Sequence, residues 1–508
     1  MPLVRELTPP PDPVACVERL AGLSHRVYLD SAAIGPRFGR YSFVTADPVT
    51  VIRSHGGRTW IETGRGQQAT GDGPRATGQG IEVREVTADG DALAAARRVL
   101  APYGTPPVPG LPPFQGGIIG YVGYDWGLTL ERLPAPRFDD LGLDDVVFGV
   151  YDWVVAWDLA ASKAWLVSTG ISAAPDVDRQ RRAAERADAL LALLATPDEA
   201  ARDGLQPPAA RRIAPERPPV HLVDGGWWGD ALSLGSSFSH HGYLDVVSKV
   251  REYIYAGDIF QANISQRFEA PFDETPWSLY RRLRQHNPAP FAAFLDLPGV
   301  AVVSASPERF LQVDPSGHVE TRPIKGTRAR GFGPEHDAAL AQALTESAKD
   351  RAENLMIVDL MRNDLSRVCL AGSVRVSELF TLERYATVHH LVSTVVGDLA
   401  PGTDALDLLR AAFPGGSITG APKLRAMEII AECEPSRRGV YCGSIGYWSL
   451  TGALDTSIAI RTAVVRDGRV YFSAGGGIVA DSVPEQEYRE TLDKARATID
   501  VLLPAGAP

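Results

Sequence analysis

Residues 145–169 read DVVFGVYDWVVAWDLAASKAWLVST. Valine and aromatic residues crowd this stretch, and Asp, Gly and Ser punctuate it. Such residues suit the pleated, half-buried surface of a sheet, so the stretch reads as consecutive strands. RYSFVTADPVTVIRS, residues 40–54, reads the same way. Helical patterns alternate with these strands. RQRRAAERADALLALLA, residues 179–195, spaces Leu and Ala as one face of an amphipathic helix. The following TPDEAARDGLQPPAARRIAPERPPVHLVDGG is rich in Pro, Ala and charge and has no periodicity. The chain therefore divides into a segment 1–195, a linker or mobile loop 196–234, and a segment 235–508.

Composition narrows the function classes. Of 508 residues, 44% are hydrophobic and 22% charged, an ordinary globular balance. The net charge is −11 with no long basic run, which argues against a nucleic-acid partner. No apolar run reaches the length of a membrane span, and the N-terminus lacks an apolar leader core. Cys16, Cys369, Cys433 and Cys442 are too scattered for a CxxC pair and are expected to be reduced thiols in a cytoplasmic protein.

The second segment carries the chemistry. HGYLDVVSKVREYIYAGD reads as a helix closed by Gly257. In the next strand, Gln261, Asn263, Ser265 and Arg267 share one face. That face is either solvated, the default reading, or part of a polar cleft. Asp350 and Glu353 lie three apart on a helix, as do Glu487 and Glu490, and Lys494 follows Glu490 by four. If the two helices meet, their carboxylates suit a hard divalent cation such as Mg²⁺. Otherwise Glu490 and Lys494 form only a surface ion pair. FPGGSITGAPK has the glycine spacing of a phosphate loop, but Ala421-Pro422 stands where that motif needs Lys-Ser/Thr. It reads instead as a loop entering a helix, with Ser417 and Thr419 exposed to an anion. SAGGGIVADS allows backbone amides to approach a carboxylate, or makes a tight turn. His389 and His390 precede a strand and read as structural. Arg461 ends a strand-like run. TRPIKGTRARG places Lys325 in a basic stretch that is either a solvated loop or a site.

Nine blocks in order carry a family resemblance. They are GDIFQANISQRF, SASPERFL, RPIKGTRARG, RAENLMIVDLMRNDLSRV, HHLVSTV, FPGGSITGAPKLRAMEII, YCGSIGY, IAIRT and GGGIVADSVPEQEYRETLDKA. Together they resemble the chorismate-utilising enzymes across residues 240–500. That group includes the large subunits of anthranilate and aminodeoxychorismate synthases and the isochorismate and salicylate synthases. LDSAAIGPRFGRYSFVTADP and PPFQGGIIGYVGYDWG extend the resemblance more loosely toward the N-terminus. The fold implied is α+β: two large, mostly antiparallel sheets packed as a sandwich with helices outside, both segments contributing strands.

Within the group, anthranilate synthases usually read Pro-Ile-Ala-Gly-Thr where this chain has Pro-Ile-Lys-Gly-Thr, the form of the aminodeoxychorismate branch. The resemblance thus implies conversion of chorismate and ammonia to 4-amino-4-deoxychorismate, a step toward para-aminobenzoate and folate. The alternatives are an anthranilate synthase large subunit and a non-catalytic chorismate-binding subunit. Lys325 is implied as a covalent nucleophile. It must be neutral to act, and Arg322, Arg328 and Arg330 would help if they point the same way. Glu308 is implied as general acid. Glu353 and Glu490 match direct Mg²⁺ ligands, and Asp350 and Glu487 a second pair. Arg461, Tyr441 and the amides of Gly475, Gly476 and Gly477 match a pocket for the enolpyruvyl carboxylate. Lys494 matches a basic group near the metal-bound carboxylate, and His390, Ser417 and Thr327 further pocket positions. No cysteine lies in a Gly-x-Cys-x-Gly turn, so ammonia is expected from a separate glutamine amidotransferase subunit. Relatives also carry an N-terminal tryptophan-type pocket. HNPAPF stands here where feedback-regulated anthranilate synthases often read Asn-Pro-Ser-Pro-Tyr, which argues against regulation by tryptophan.

Overall fold

Successive residues of a strand face opposite sides of a sheet, and the strand Phe291–Leu297 shows the consequence. Ala292 and Phe294 join Leu279, Tyr280 and Leu283 of the helix Pro276–His286 in one apolar core. Ala293 and Leu295 join Tyr121, Val147, Ile445 and Tyr447, which belong to another sheet. The computed structural model describes residues 1–33, 37–64, 81–86, 91–172, 178–195, 216–223, 226–385 and 388–503. Among them, one sheet has thirteen strands and a second has twelve. A core that draws on both sheets fills the space between them, and helices cover the outer faces. This is the expected α+β sandwich.

Both chain segments build each sheet. In the larger one, Arg26–Asp30 pairs antiparallel with Phe291–Leu297, placing Leu29 opposite Ala293. In the smaller one, Gly117–Val122 pairs antiparallel with Ser444–Ser449, placing Gly120 opposite Gly446. Of the stretch 196–234, residues 196–215 and 224–225 lie outside the described residues. His221–Leu222 pairs with Gly235–Ser236 at the sheet edge, and Trp228 is buried. Among the described residues no helix is long and apolar enough to cross a membrane.

Three elements set up the site. The helix Ala348–Ser366 begins at Ser347, whose hydroxyl accepts from the Asp350 amide at 3.2 Å. The helix Pro484–Leu502 starts with proline and carries Glu485 and Glu487 in its first turn, where the helix dipole favours anions. The strand Gln261–Pro271 pairs with Arg469–Ile478, bringing Asn263 opposite Gly477. Its polar face is not solvated: Gln261, Asn263 and Ser265 are buried, at 0%, 6% and 5% exposure. The solvated reading of that face is therefore corrected. The face is covered by the Ser417 turn, whose Ile418 carbonyl accepts from the Asn263 side chain, and by Glu434, which accepts from Ser265.

Candidate active site

Lys325 lies on the strand Ile324–Ala329, half-buried, and donates to the Ser417 carbonyl at 3.0 Å. The next residue, Gly326, has φ of +88°, a conformation that favours glycine. A side chain there would also meet Leu344 and Asp350 at 2.9 and 3.0 Å. Burial pushes the Lys325 ammonium below its ordinary range, the nearby Glu353 carboxylate opposes this, and Lys494 adds to it.

Glu308 follows the strand Val300–Ser306 and is 4% exposed. Burial pushes its carboxyl up to about 7, against a hydrogen bond from Ser417 and the charge of Lys325. The Ile324 amide also donates to it, at 3.4 Å. An acid that titrates near neutrality can hold and release a proton at working pH. Ser417 therefore touches both groups: its carbonyl accepts from Lys325 and its hydroxyl donates to Glu308.

The arginines expected to suppress Lys325 do not do so. Arg322 turns to Glu378, Glu383 and Thr394, Arg328 to Asp350, and Arg330 to Asp337. Each guanidinium is neutralised by carboxylates of its own. Burial and Lys494 take over that role.

Carboxylates from both helices lie near Lys325. Glu353 and Glu490 both act on its charge. Burial raises the Glu353 and Glu487 carboxyls, and Glu490 adds to both shifts. Like charges gathered this way favour a cation among them. Each carboxylate nonetheless has a partner or neighbour: Glu490 bonds Lys494 at 2.6 Å, Glu487 accepts from Ser482 at 2.7 Å, and Asp350 accepts from Arg328 at 2.9 Å. Lys349 is 4.0 Å from Glu353. Among the described residues, no three Asp, Glu, His or Cys side chains already stand as a metal-holding group. The donors are all hard oxygens, which fits Mg²⁺ and excludes a soft-metal site.

The remaining expected residues join the same region. Lys494 donates to the Gly475 carbonyl at 2.8 Å. A side chain on Gly476 would approach Glu487 and Glu490 at 3.1 and 3.3 Å, and one on Gly477 would collide with the Gln261 amide at 2.4 Å. Arg461 donates to the Lys494 carbonyl at 2.6 Å, and burial pushes its pKa down while the nearby Tyr441 opposes the shift. His390 stands opposite Thr327, 2.9 Å from its hydroxyl, and burial followed by Arg461 lowers its pKa to about 4. The ring is neutral, a polar contact rather than a charge.

Sequence reasoning missed three groups. Gln261 is fully buried, and among the described residues neither end of its amide has a hydrogen-bond partner. A buried amide in that state calls for a partner, an ordered water or a polar ligand. Glu434 and Arg438 form a buried ion pair beneath the Ser417 turn. The polar face of the Gln261 strand was the one available hint. Elsewhere, a cavity of about 470 Å³ is lined by Leu29, Phe38, Phe291, Arg309, Arg322 and Tyr447. It draws on the LDSAAIGPRFG and HNPAPF stretches.

The family model described as chorismate binding enzyme matches residues 56–500. Aminodeoxychorismate synthase component 1 of Salmonella typhimurium is 42% identical over 471 residues, covering 92% of this chain and 91% of the relative. Anthranilate synthase component 1 of Pseudomonas aeruginosa is 39% identical over 488 residues, covering 96% and 92%. The crystal structure of anthranilate synthase component I from Streptococcus pneumoniae superposes with a TM-score of 0.70 at 31% identity, covering 92% and 93% of the two chains.

Proposed function

The chain belongs to the chorismate-binding enzyme family, and on that premise we propose that it is the large subunit of an aminodeoxychorismate synthase. The observation that carries this reading is Lys325. Overall identity to the two named enzymes differs little, at 42% and 39%. A half-buried amine whose charged form burial disfavours, beside an acid titrating near 7, supports addition to carbon and departure of a hydroxyl.

The neutral Lys325 amine adds at C2 of chorismate. The diene shifts, the C4–O bond breaks, and Glu308 protonates the departing hydroxyl, which leaves as water. Ammonia then adds at C4, the double bonds shift back, and the C2–N bond to Lys325 breaks. Glu308, now a carboxylate, takes the proton that ammonia sheds. The sum is chorismate plus ammonia giving 4-amino-4-deoxychorismate plus water. The site's own residues hold the substrate: Arg461, Tyr441 and the Gly475–Gly477 amides take the enolpyruvyl carboxylate, and Lys494 lies toward the ring carboxylate. Glu353 and Glu490 would hold Mg²⁺, with Asp350 and Glu487 behind them. Bound there, the ion supplies a counter-charge for the ring carboxylate.

Ammonia comes, in this reading, from a separate glutamine amidotransferase. The names of the relatives, each a component 1, support a partner. The cysteines support it further. All four are buried, and burial pushes Cys16, Cys433 and Cys442 up to about 12 and Cys369 up to about 11. None is the activated thiol that glutamine hydrolysis requires. We assign the product to para-aminobenzoate and folate synthesis.

The test is product identification after incubation with chorismate, Mg²⁺ and ammonium. 4-Amino-4-deoxychorismate is expected. Anthranilate as the product, or no turnover, would overturn the assignment.

A further inference from the structure

The Ser417 turn holds both reacting side chains, yet it is short. It is one 3₁₀ turn, Gly416–Ile418, between the strand partner Gly420–Ala421 and the helix Ala405–Ala412. What keeps it in place is a buried pair that the reaction itself does not use. Arg438 and Glu434 have side chains 2% and 5% exposed. The guanidinium forks onto the carboxylate, Nε to Oε2 at 2.8 Å and Nη2 to Oε1 at 2.7 Å. Its other donations go to main-chain oxygens: Nη1 to Ile418 at 3.0 Å and Nη2 to Asn263 at 2.6 Å. The Asn263 side chain gives the Ile418 carbonyl a second donor at 3.1 Å, and its backbone amide bonds the Thr419 carbonyl at 2.7 Å. Glu434 is itself held by the Ser265 amide and hydroxyl, at 2.8 and 2.9 Å. The ring of Tyr124 lies 4.5 Å from the guanidinium and closes the stack.

A buried ion pair adds little stability over apolar side chains of the same volume. A planar fork does fix direction, because it holds the carboxylate with two bonds and still offers further donors at set angles. Here those donors grip the carbonyl of Ile418, the residue directly after Ser417. The lever is therefore one residue long. Moving Ile418 moves the oxygen that takes Lys325 and the side chain that takes Glu308.

We infer that Arg438, held by Glu434, is a positioning residue for Lys325 and Glu308, acting through the Ile418 carbonyl and the Ser417 turn. This rests on the roles given to Lys325 and Glu308 above. Arg438 makes no hydrogen bond to either. Lysine cannot replace it, since one ammonium cannot bond Glu434 as a fork and also reach Ile418 and Asn263.

The experiment uses the full chain with saturating ammonium and Mg²⁺ and follows loss of chorismate, whatever the product. A wrong product assignment would then appear in the wild-type product analysis without altering variant-to-wild-type ratios. Arg438→Ala, Arg438→Lys and Asn263→Ala are compared. A misplaced catalytic group costs on the order of a hundredfold, so Arg438→Ala should lose about that in kcat while KM for chorismate stays within about threefold. Arg438→Lys should remain impaired. Asn263→Ala, losing one of two donors to Ile418, should lose roughly tenfold. Added guanidinium should restore part of the kcat of Arg438→Ala by refilling the fork. The inference is overturned if folded Arg438→Lys and Asn263→Ala turn over chorismate at the wild-type kcat, or if their losses lie wholly in KM. It is equally overturned if guanidinium raises the melting temperature of Arg438→Ala and leaves kcat unchanged. Should Arg438→Ala fail to fold, the other two variants decide.

Discussion

Glu308→Gln separates the cost of the acid from its use. The Glu308 carboxyl titrates near 7 in the folded chain, against an ordinary 4.5, because burial penalises its charge. Between those values the folded protein keeps a proton that the unfolded chain has released. Stability is therefore lost as pH rises through the window, the sign that applies to a raised carboxyl pKa. Linkage from pH 5.5 to pH 8 makes that loss about 2 kcal/mol. At 4% exposure, solvent screening does little to reduce it. Glutamine keeps the shape and an oxygen to accept from the Ile324 amide, now 3.4 Å from the carboxylate, but it cannot ionise. Urea unfolding of both proteins at the two pH values is the assay. The difference in unfolding free energy should move by about 2 kcal/mol in favour of the variant between pH 5.5 and pH 8. Turnover should meanwhile fall by about 10²–10⁴-fold, the usual worth of a general acid. A stability difference that stays flat with pH would refute the raised pKa, and with it the physical basis for the acid role.

Other outcomes follow from the same site. Lys325→Ala should abolish 4-amino-4-deoxychorismate formation while unfolding as cooperatively as wild type. Continued production by that variant would remove the covalent role. Glu353→Gln and Glu490→Gln should each shift the Mg²⁺ titration of activity to higher concentration and lower turnover, and unchanged titrations in both would place the cation elsewhere. The purified single chain should consume chorismate with ammonium but not with glutamine. Glutamine-dependent amination by the chain alone would show that no partner is needed.

Much of this protein is legible locally. Helical spacing alone puts Asp350 with Glu353, and Glu487 with Glu490, because residues three apart share a helix face. The glycines before Ile478 and the lysine in PIKGT stand out in the same way, and ordered blocks then suffice to expect the family's double sheet. Tertiary packing decided the rest. Gln261, Asn263 and Ser265 alternate as a solvated strand face would, and only the Ser417 turn and Glu434, packed over it, make that face interior. Arg322, Arg328 and Arg330 look like one basic patch around Lys325, but carboxylates from other elements claim each of them. Glu434 and Arg438, four apart in CEPSRRG, resemble an ordinary surface pair. They become a buried clamp because Ser265, Asn263 and Ile418, remote in the chain, converge on them. The physical reason is common to all three cases. Periodicity and residue type specify which groups share an element, whereas burial, and with it the pKa of Glu308 and Lys325, depends on what the finished sandwich lays over them.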